Sequence, residues 1–160
     1  MDGTLATSSA ADFLGGSLFL IAAGSIKVDG GSVFGNGGKL SANVVSGGTI
    51  TPADSSTATG SLSVTGNYTQ GSKGALDINL AATTQFNTLN VTGKATLGGT
   101  LNIGLLNGFV PAPNSTFKVL TCSSRSGTFA TVNGTAINGS EHFVVQYNSK
   151  NVTLQVVSGP

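Results

Sequence analysis

Charged side chains are scarce in this chain of 160 residues. Asp, Glu, Lys and Arg make up 8% of the sequence, against about 25% in ordinary soluble domains. Seven basic residues are balanced by six acids, so the formal net charge is +1. The basic residues are scattered, whereas nucleic-acid binding by counterion release needs clustered Lys or Arg. We therefore expect no nucleic-acid partner.

Cysteine and histidine occur once each, as Cys122 and His142. A single cysteine excludes an intrachain disulfide but leaves export open. A metal site needs three or four ligands, and a reactive thiol needs a base close to it. The sequence offers neither set, so we expect no metal, no cofactor and no catalysis at these residues. Cys122 is predicted to be a small apolar residue on a strand.

Long apolar runs and helical periodicity are also missing. The most apolar stretch, Phe13 to Gly24, is too short for a membrane-spanning helix and follows Asp2 and Asp12 rather than a basic signal-peptide region. We predict a buried strand there, and membrane contact only through segments outside this chain. The best candidate for a short helical turn lies between Leu5 and Gly16.

Short strands with one apolar face account for most of what is present. Apolar and polar residues alternate, and Gly-Gly or Asn-Gly pairs separate the segments, which is typical of half-buried strands joined by tight turns. The clearest segments are 61–66, 74–80, 88–93, 99–105, 116–121, 127–134 and 151–157. The chain is therefore predicted to be all-β.

One phrase occurs twice, as SLSVTGNYTQGSKGALDINL from Ser61 and TLNVTGKATLGGTLNIGL from Thr88. Ser61 aligns with Thr88 and Leu76 aligns with Leu101, so the copies differ in length only in the connecting turn. A fixed unit with variable turns is typical of a solenoid, in which each unit buries its apolar face against the next. The repeated phrase is therefore predicted to be one rung of a stack.

The character of the sequence changes after Leu105. A segment with two prolines is followed by strands, and HFVVQYNSKNVTLQVV is typical of an antiparallel hairpin that turns at 148–151. An open solenoid end exposes unpaired backbone, which a terminal hairpin would cover. We therefore predict solenoid rungs in 1–105 and a C-terminal cap of the same domain in 106–160.

Taken together, VTGNYTQ, GGTLNI, GFVPAPNSTFKVL and SGTFATVNG resemble the distal passenger region of bacterial autotransporters and related proteins with autotransporter-associated β-strand repeats. The resemblance covers 47–157, about two-thirds of the chain. It implies a right-handed parallel β-helix closed by a C-terminal cap. It also implies a protein that is secreted or displayed on the bacterial outer surface, often for adhesion.

The few acidic residues give little support to chemistry. Asp77 lies on the polar face of a rung, and its counterpart in the second copy is Asn102, whereas a glycosidase needs two carboxylates at a defined separation. The candidates for surface contacts are Asp77, which is charged, and Tyr68 and Tyr147, whose rings could stack on sugars. We favour a structural interpretation of both tyrosines, in which Tyr68 packs at a strand end and Tyr147 packs on the hairpin.

The sequence thus favours a non-catalytic structural module of an exported, autotransporter-like adhesin. Its expected partners are a host or environmental glycan or a protein surface, with solenoid ends as candidates for homo-oligomer contacts. The alternative is a carbohydrate-binding or polysaccharide-cleaving β-helix. A third hypothesis, an ice-binding face, requires a regular Thr array, and the Thr pairs do not repeat in register.

Overall fold

The structure is a computed structural model that describes the backbone of residues 5–7, 11–12, 17–19, 25–28 and 30–159. Side chains are described for 26–28 and 30–159. Within these ranges every regular element is a β-strand, and the strands form three sheets. No helix in the described part of the chain has the length and apolar character needed to cross a membrane.

Each sheet takes one strand from each successive rung of the stack. Sheet A contains β1 (Leu5–Thr7), β4 (Ser25–Val28), β7 (Asn43–Ser46), β10 (Tyr68–Gln70), β14 (Lys94–Leu97) and β17 (Ser124–Gly127). Sheet B contains β2 (Ala11–Asp12), β5 (Ser32–Phe34), β8 (Thr49–Thr51), β11 (Ala75–Ala82), β15 (Thr100–Leu105) and β18 (Thr131–Asn133), with β12 (Gln85–Phe86) antiparallel beside β11. Sheet C contains β3 (Ser17–Phe19), β6 (Gly38–Ser41), β9 (Ser61–Val64), β13 (Thr88–Val91) and β16 (Thr116–Thr121), followed by β20 (Asn151–Ser158) and β19 (Glu141–Tyr147).

The strands of successive rungs pair in parallel, which confirms an all-β, solenoid-like stack. Leu76 pairs with Leu101 and Val64 pairs with Val91, so both ends of the repeated phrase have the register that the sequence predicts. Their side chains point inward and are buried. Full burial of a leucine contributes about 2 kcal/mol, so identical aliphatic residues stacked on one another stabilise the pile of rungs.

Each repeated rung contributes one strand to each of the three sheets. The sequence predicted no strand for the steps YTQ and KATL, but they form β10 and β14 of sheet A. The N-terminal segment also differs from expectation, since Leu5–Thr7 and Ala11–Asp12 are strands rather than a helical turn. Ser17–Phe19 is a strand, as predicted, but the burial expected for that stretch lies outside the described side chains.

The parallel stack continues past the boundary predicted at residue 105. In the last rung β17 pairs in parallel with β14, and β18 with β15. The antiparallel part is narrower: β20 pairs with β16, and β19 pairs with β20 as a hairpin. The hairpin itself is where the sequence placed it, with its turn between Tyr147 and Asn151.

Phe117 lies at the centre of the contact between the hairpin and the stack. It is fully buried, and its ring makes edge-to-face contacts with Phe86, Phe109 and Phe143 at centroid distances of 5.2, 6.2 and 6.3 Å. Aromatic pairs in this geometry contribute about 1 kcal/mol each beyond their buried area. The cluster joins β12, the 106–115 connection and the hairpin to one core.

Candidate functional site

Tyr68 lies inside the solenoid. It occupies the inward row of sheet A, between Val44 of the preceding rung and Ala95 of the next, and its side chain is 0% exposed. Its hydroxyl donates to Gln70 Oε1 at 2.7 Å. Tyr68 is therefore not available for the surface contact considered for it, because no part of the ring reaches solvent, and the packing at a strand end that we favoured agrees with its place at the start of β10.

Gln70 connects the buried hydroxyl to the next rung. Its Nε2 donates to the carbonyls of Gly98 at 2.7 Å and Thr100 at 3.0 Å, and the residue is 2% exposed. Burial raises the pKa of Tyr68 well above its ordinary value, although a hydrogen bond with the Ser46 side chain lowers it in part. This buried polar pair holds two rungs together and offers nothing to a ligand. Sequence reasoning missed it because a polar residue interrupts the apolar alternation.

Asp77 lies on the outer face of sheet B, in a row of hydrogen-bonded side chains. Its Oδ1 accepts from Asn102 Nδ2 at 2.8 Å, and Asn102 Oδ1 accepts from Asn133 Nδ2 at 3.0 Å. The row runs across three successive rungs, with Asp77 and Asn102 partly exposed and Asn133 exposed. Asp77 is thus available at the surface, but one carboxylate oxygen is already engaged by its neighbour.

Tyr147 lies at the end of β19, partly exposed, with its ring beside Phe129 and Arg125. The Phe129 N–H donates to its hydroxyl at 3.3 Å, and the Arg125 guanidinium carbon is 5.4 Å from the ring centroid. Burial raises the pKa of Tyr147, while the Phe129 N–H and the positive charge of Arg125 lower it in part. The ring is already covered on one side, which limits stacking on a sugar.

Arg125 takes a position that uncharged residues fill in the preceding rungs, namely Ile26, Val44, Tyr68 and Ala95. It pairs with Ala95 in the inward row of sheet A, in the last rung. Its Nε donates to Asn148 O at 2.8 Å, its Nη2 to Tyr147 O at 3.4 Å and its Nη1 to Gly127 O. The guanidinium therefore ties the last rung to the hairpin turn through main-chain carbonyls.

A pocket of about 250 Å³ lies beside the hairpin, between the 135–142 segment and Gly159. Glu141 and His142 both line it, and they are the acid and the histidine that the sequence analysis assigned no role. Asn138 Nδ2 donates to Glu141 Oε2 at 2.8 Å, which fixes the carboxylate. The signal that could have pointed to it is the small-residue turn NGS directly before the Glu-His pair.

The three predicted contact residues are not brought together. Tyr68 belongs to sheet A, Asp77 to sheet B and Tyr147 to sheet C. Cys122 is 8% exposed, and burial raises the pKa of its thiol, a shift that the Ala95 backbone and Arg125 partly oppose. In the described ranges, no three His, Cys, Asp or Glu residues are grouped closely enough to hold a metal ion.

The outer row that begins at Ser32 on sheet B bears on the ice-binding hypothesis. Thr49, Thr100 and Thr131 stand in this row, but Ala75 separates the first from the other two. The regular Thr array that an ice-binding face requires is therefore interrupted.

Comparison of the sequence with protein-family models gives no match, and comparison with curated proteins gives no match either.

Proposed function

We propose that this chain is a non-catalytic structural module of an exported, surface-displayed bacterial protein of the autotransporter type, and that it serves adhesion. The observation that carries the proposal is the register of the two copies of the repeated phrase, Leu62 on Leu89 and Leu76 on Leu101. The resemblance to autotransporter passengers depends on the same phrase, and stacked rungs with an aliphatic interior are suited to a stiff, extended support.

The proposed stack is a right-handed parallel β-helix. About 98% of crossover connections between parallel strands of one sheet are right-handed, because a twisted strand returns to its sheet most easily in that sense. The end at the hairpin acts as the cap, since β19 and β20 lie beside β16 and bury Phe143, Leu154 and Val156.

The positions of the charged groups support a role without catalysis. The Asp77 carboxylate is hydrogen-bonded to Asn102, and Glu141 lies at the hairpin on sheet C. Arg125 donates to main-chain carbonyls rather than facing an acid across a cleft. A polysaccharide-cleaving β-helix would need carboxylates gathered on one face, so this alternative gains no support from the fold.

The proposed partners are a glycan or a protein surface that meets the outer faces of the sheets. These faces present Ser, Thr and Asn, as in Ser61, Asn90 and Thr121, which are hydrogen-bonded to one another across rungs of sheet C. A nearly uncharged, hydroxyl- and amide-rich surface recognises a partner by hydrogen bonds rather than by charge steering.

Surface display is tested with an epitope inserted in the loop between β8 and β9, at exposed Asp54, in the full gene of the bacterium that encodes the chain. On intact cells we expect an antibody to label the epitope and added protease to remove it, whereas a cytoplasmic marker stays protected. An epitope that is reached only after cell lysis would overturn the proposal. Loss of attachment on deletion of the gene would support the adhesive role.

A further inference from the structure

The pocket beside the hairpin has rigid walls because its main chain is closed by hydrogen bonds. The N–H groups of Ile137 and Asn138 donate to Glu141 O at 3.0 and 3.3 Å, and the Gly159 N–H donates to Ser140 O at 2.9 Å. These bonds close the 137–141 turn and hold the strand end that carries Gly159 against it. The walls are therefore formed before any ligand arrives, which lowers the entropy cost of binding.

The polar groups of the pocket are partly fixed and partly free. Asn138 donates through Nδ2 to Glu141 Oε2 at 2.8 Å, and its Oδ1 accepts from the Ser140 N–H at 2.8 Å. Among the described residues, no hydrogen bond engages Glu141 Oε1 or the His142 ring. An oriented carboxylate oxygen and an imidazole are thus left available at the same concave surface.

The chemistry of these groups fits a neutral ligand rich in hydroxyls. A carboxylate only accepts hydrogen bonds, while a neutral imidazole donates at one nitrogen and accepts at the other. Adjacent hydroxyl groups can satisfy both, because each donates one hydrogen bond and accepts others. The volume of about 250 Å³ is below the 300–1,000 Å³ typical of sites for drug-sized ligands, so the ligand is small.

We propose that this pocket binds one saccharide unit of a neutral glycan, with Glu141 and His142 as the groups that recognise its hydroxyls. The inference extends the proposed adhesive role and rests on it for its biological meaning. Its test uses the isolated chain, however, so a failure of binding and a failure of surface display are separate results.

The test is an amide-resolved NMR titration of the full chain with the methyl glycosides of glucose, galactose, mannose and N-acetylglucosamine. We expect one of them to shift amides in 135–142 and at Gly159 and to leave the strands of the three sheets outside this region unchanged. Glu141→Gln should weaken binding at least about tenfold, because hydrogen bonds to a charged acceptor are the stronger kind. Asp54→Asn, the same charge change on the exposed β8–β9 loop, should bind like the wild type.

A second variant blocks the pocket without strain. A Cβ added at Gly139, which lines the pocket, meets nothing within 4 Å and needs no unusual backbone angle, so Gly139→Leu should fold and abolish binding. The proposal is overturned if none of the four glycosides shifts these amides, or if Glu141→Gln and Gly139→Leu bind as well as the wild type. A response to ethanolamine in place of the glycosides would also overturn it, since the pocket would then be a site for a cation.

Discussion

Asp77 and Asn102 are hydrogen-bonded across adjacent rungs, with 2.8 Å between Asp77 Oδ1 and Asn102 Nδ2. They are partners in the register of β11 and β15, and Asn133 extends the row into β18. Successive rungs are thus joined on their outer face as well as through the backbone ladder. A residue that the sequence marked as a candidate contact also connects the stack.

This row predicts different costs for two substitutions. Asn102→Ala removes the hydrogen bonds to both Asp77 and Asn133, and we expect it to lower the free energy of unfolding by about 1–2 kcal/mol. Asp77→Asn keeps an acceptor oxygen at the same place and should change the free energy of unfolding by less than about 0.5 kcal/mol. Urea denaturation measures both, and equal losses would show that the row does not stabilise the fold.

We expect a methyl group added at Gly99 to lower the free energy of unfolding strongly. Its φ is +64°, and a Cβ there would lie 2.1 Å from the Gly74 carbonyl oxygen of the rung before it. Gly108 has φ +70° with nothing within 4 Å of the same position, so it is a matched control. Gly108→Ala should cost about 1 kcal/mol for the backbone alone, and Gly99→Ala about 3 kcal/mol or more.

The measurement for this pair is the midpoint of chemical denaturation at an unchanged m-value. Similar losses in the two variants would mean that the turn before β15 moves to accept the methyl group. That result would contradict the close stacking of Gly99 on Gly74 of the preceding rung.

The buried hydroxyl of Tyr68 predicts a loss of stability in alkali. The folded chain holds its pKa well above the ordinary 10.0, so below pH 10 both states are protonated and the stabilisation is complete. Above pH 10 the unfolded chain releases this proton and the folded chain does not, so the free energy of unfolding falls as pH rises. Tyr68→Phe should therefore lose less stability than the wild type between about pH 8 and pH 11.

The control for this experiment is Tyr147→Phe, because Tyr147 is partly exposed whereas Tyr68 is fully buried. Tyrosinate absorbance is followed in the same samples as the pH is raised. The part that comes from Tyr68 should rise only when the chain unfolds. Parallel pH profiles for the wild type and Tyr68→Phe would contradict the prediction.

We expect substitution of Arg125 to destabilise the hairpin locally. Arg125→Met removes the donor to the carbonyls of Asn148 and Tyr147, and we expect a cost of about 1–3 kcal/mol with faster amide exchange in β19 and β20. Lys94→Met, an exposed position on the neighbouring β14, should leave the exchange of both strands unchanged. Uniformly faster exchange in all three sheets would show that the residue does not act on the hairpin in particular.

We expect a chain that lacks residues 107–160 to aggregate. The truncation deletes β16 to β20 and exposes the edges of β13, β14 and β15, including Leu89, which pairs with Leu120. Unpaired strand edges over an open apolar stack favour edge-to-edge association. Light scattering and thermal melting test this, and a soluble truncation that melts cooperatively would refute the capping role.

The register of the stack could be predicted because Leu62, Val64, Leu76 and Ile78 recur with the period of a half-buried strand. The strands of sheet A could not be predicted, because polar Gln70 lies on the buried side of β10 and interrupts the apolar alternation. Its burial depends on hydrogen bonds to carbonyls of the next rung. The partner of the Tyr68 hydroxyl could not be predicted for the same reason, since it is the buried amide of Gln70. The role of Arg125 depends on a hairpin turn more than twenty residues away, which no local pattern reveals.

The arginine at the base of the inward row makes the two ends of the stack unequal. Another rung, or a second copy of the chain, that stacked on this end would have to cover a guanidinium group with aliphatic side chains, and desolvation of a charge opposes that. Lengthwise association at the hairpin end of the stack is therefore opposed by Arg125.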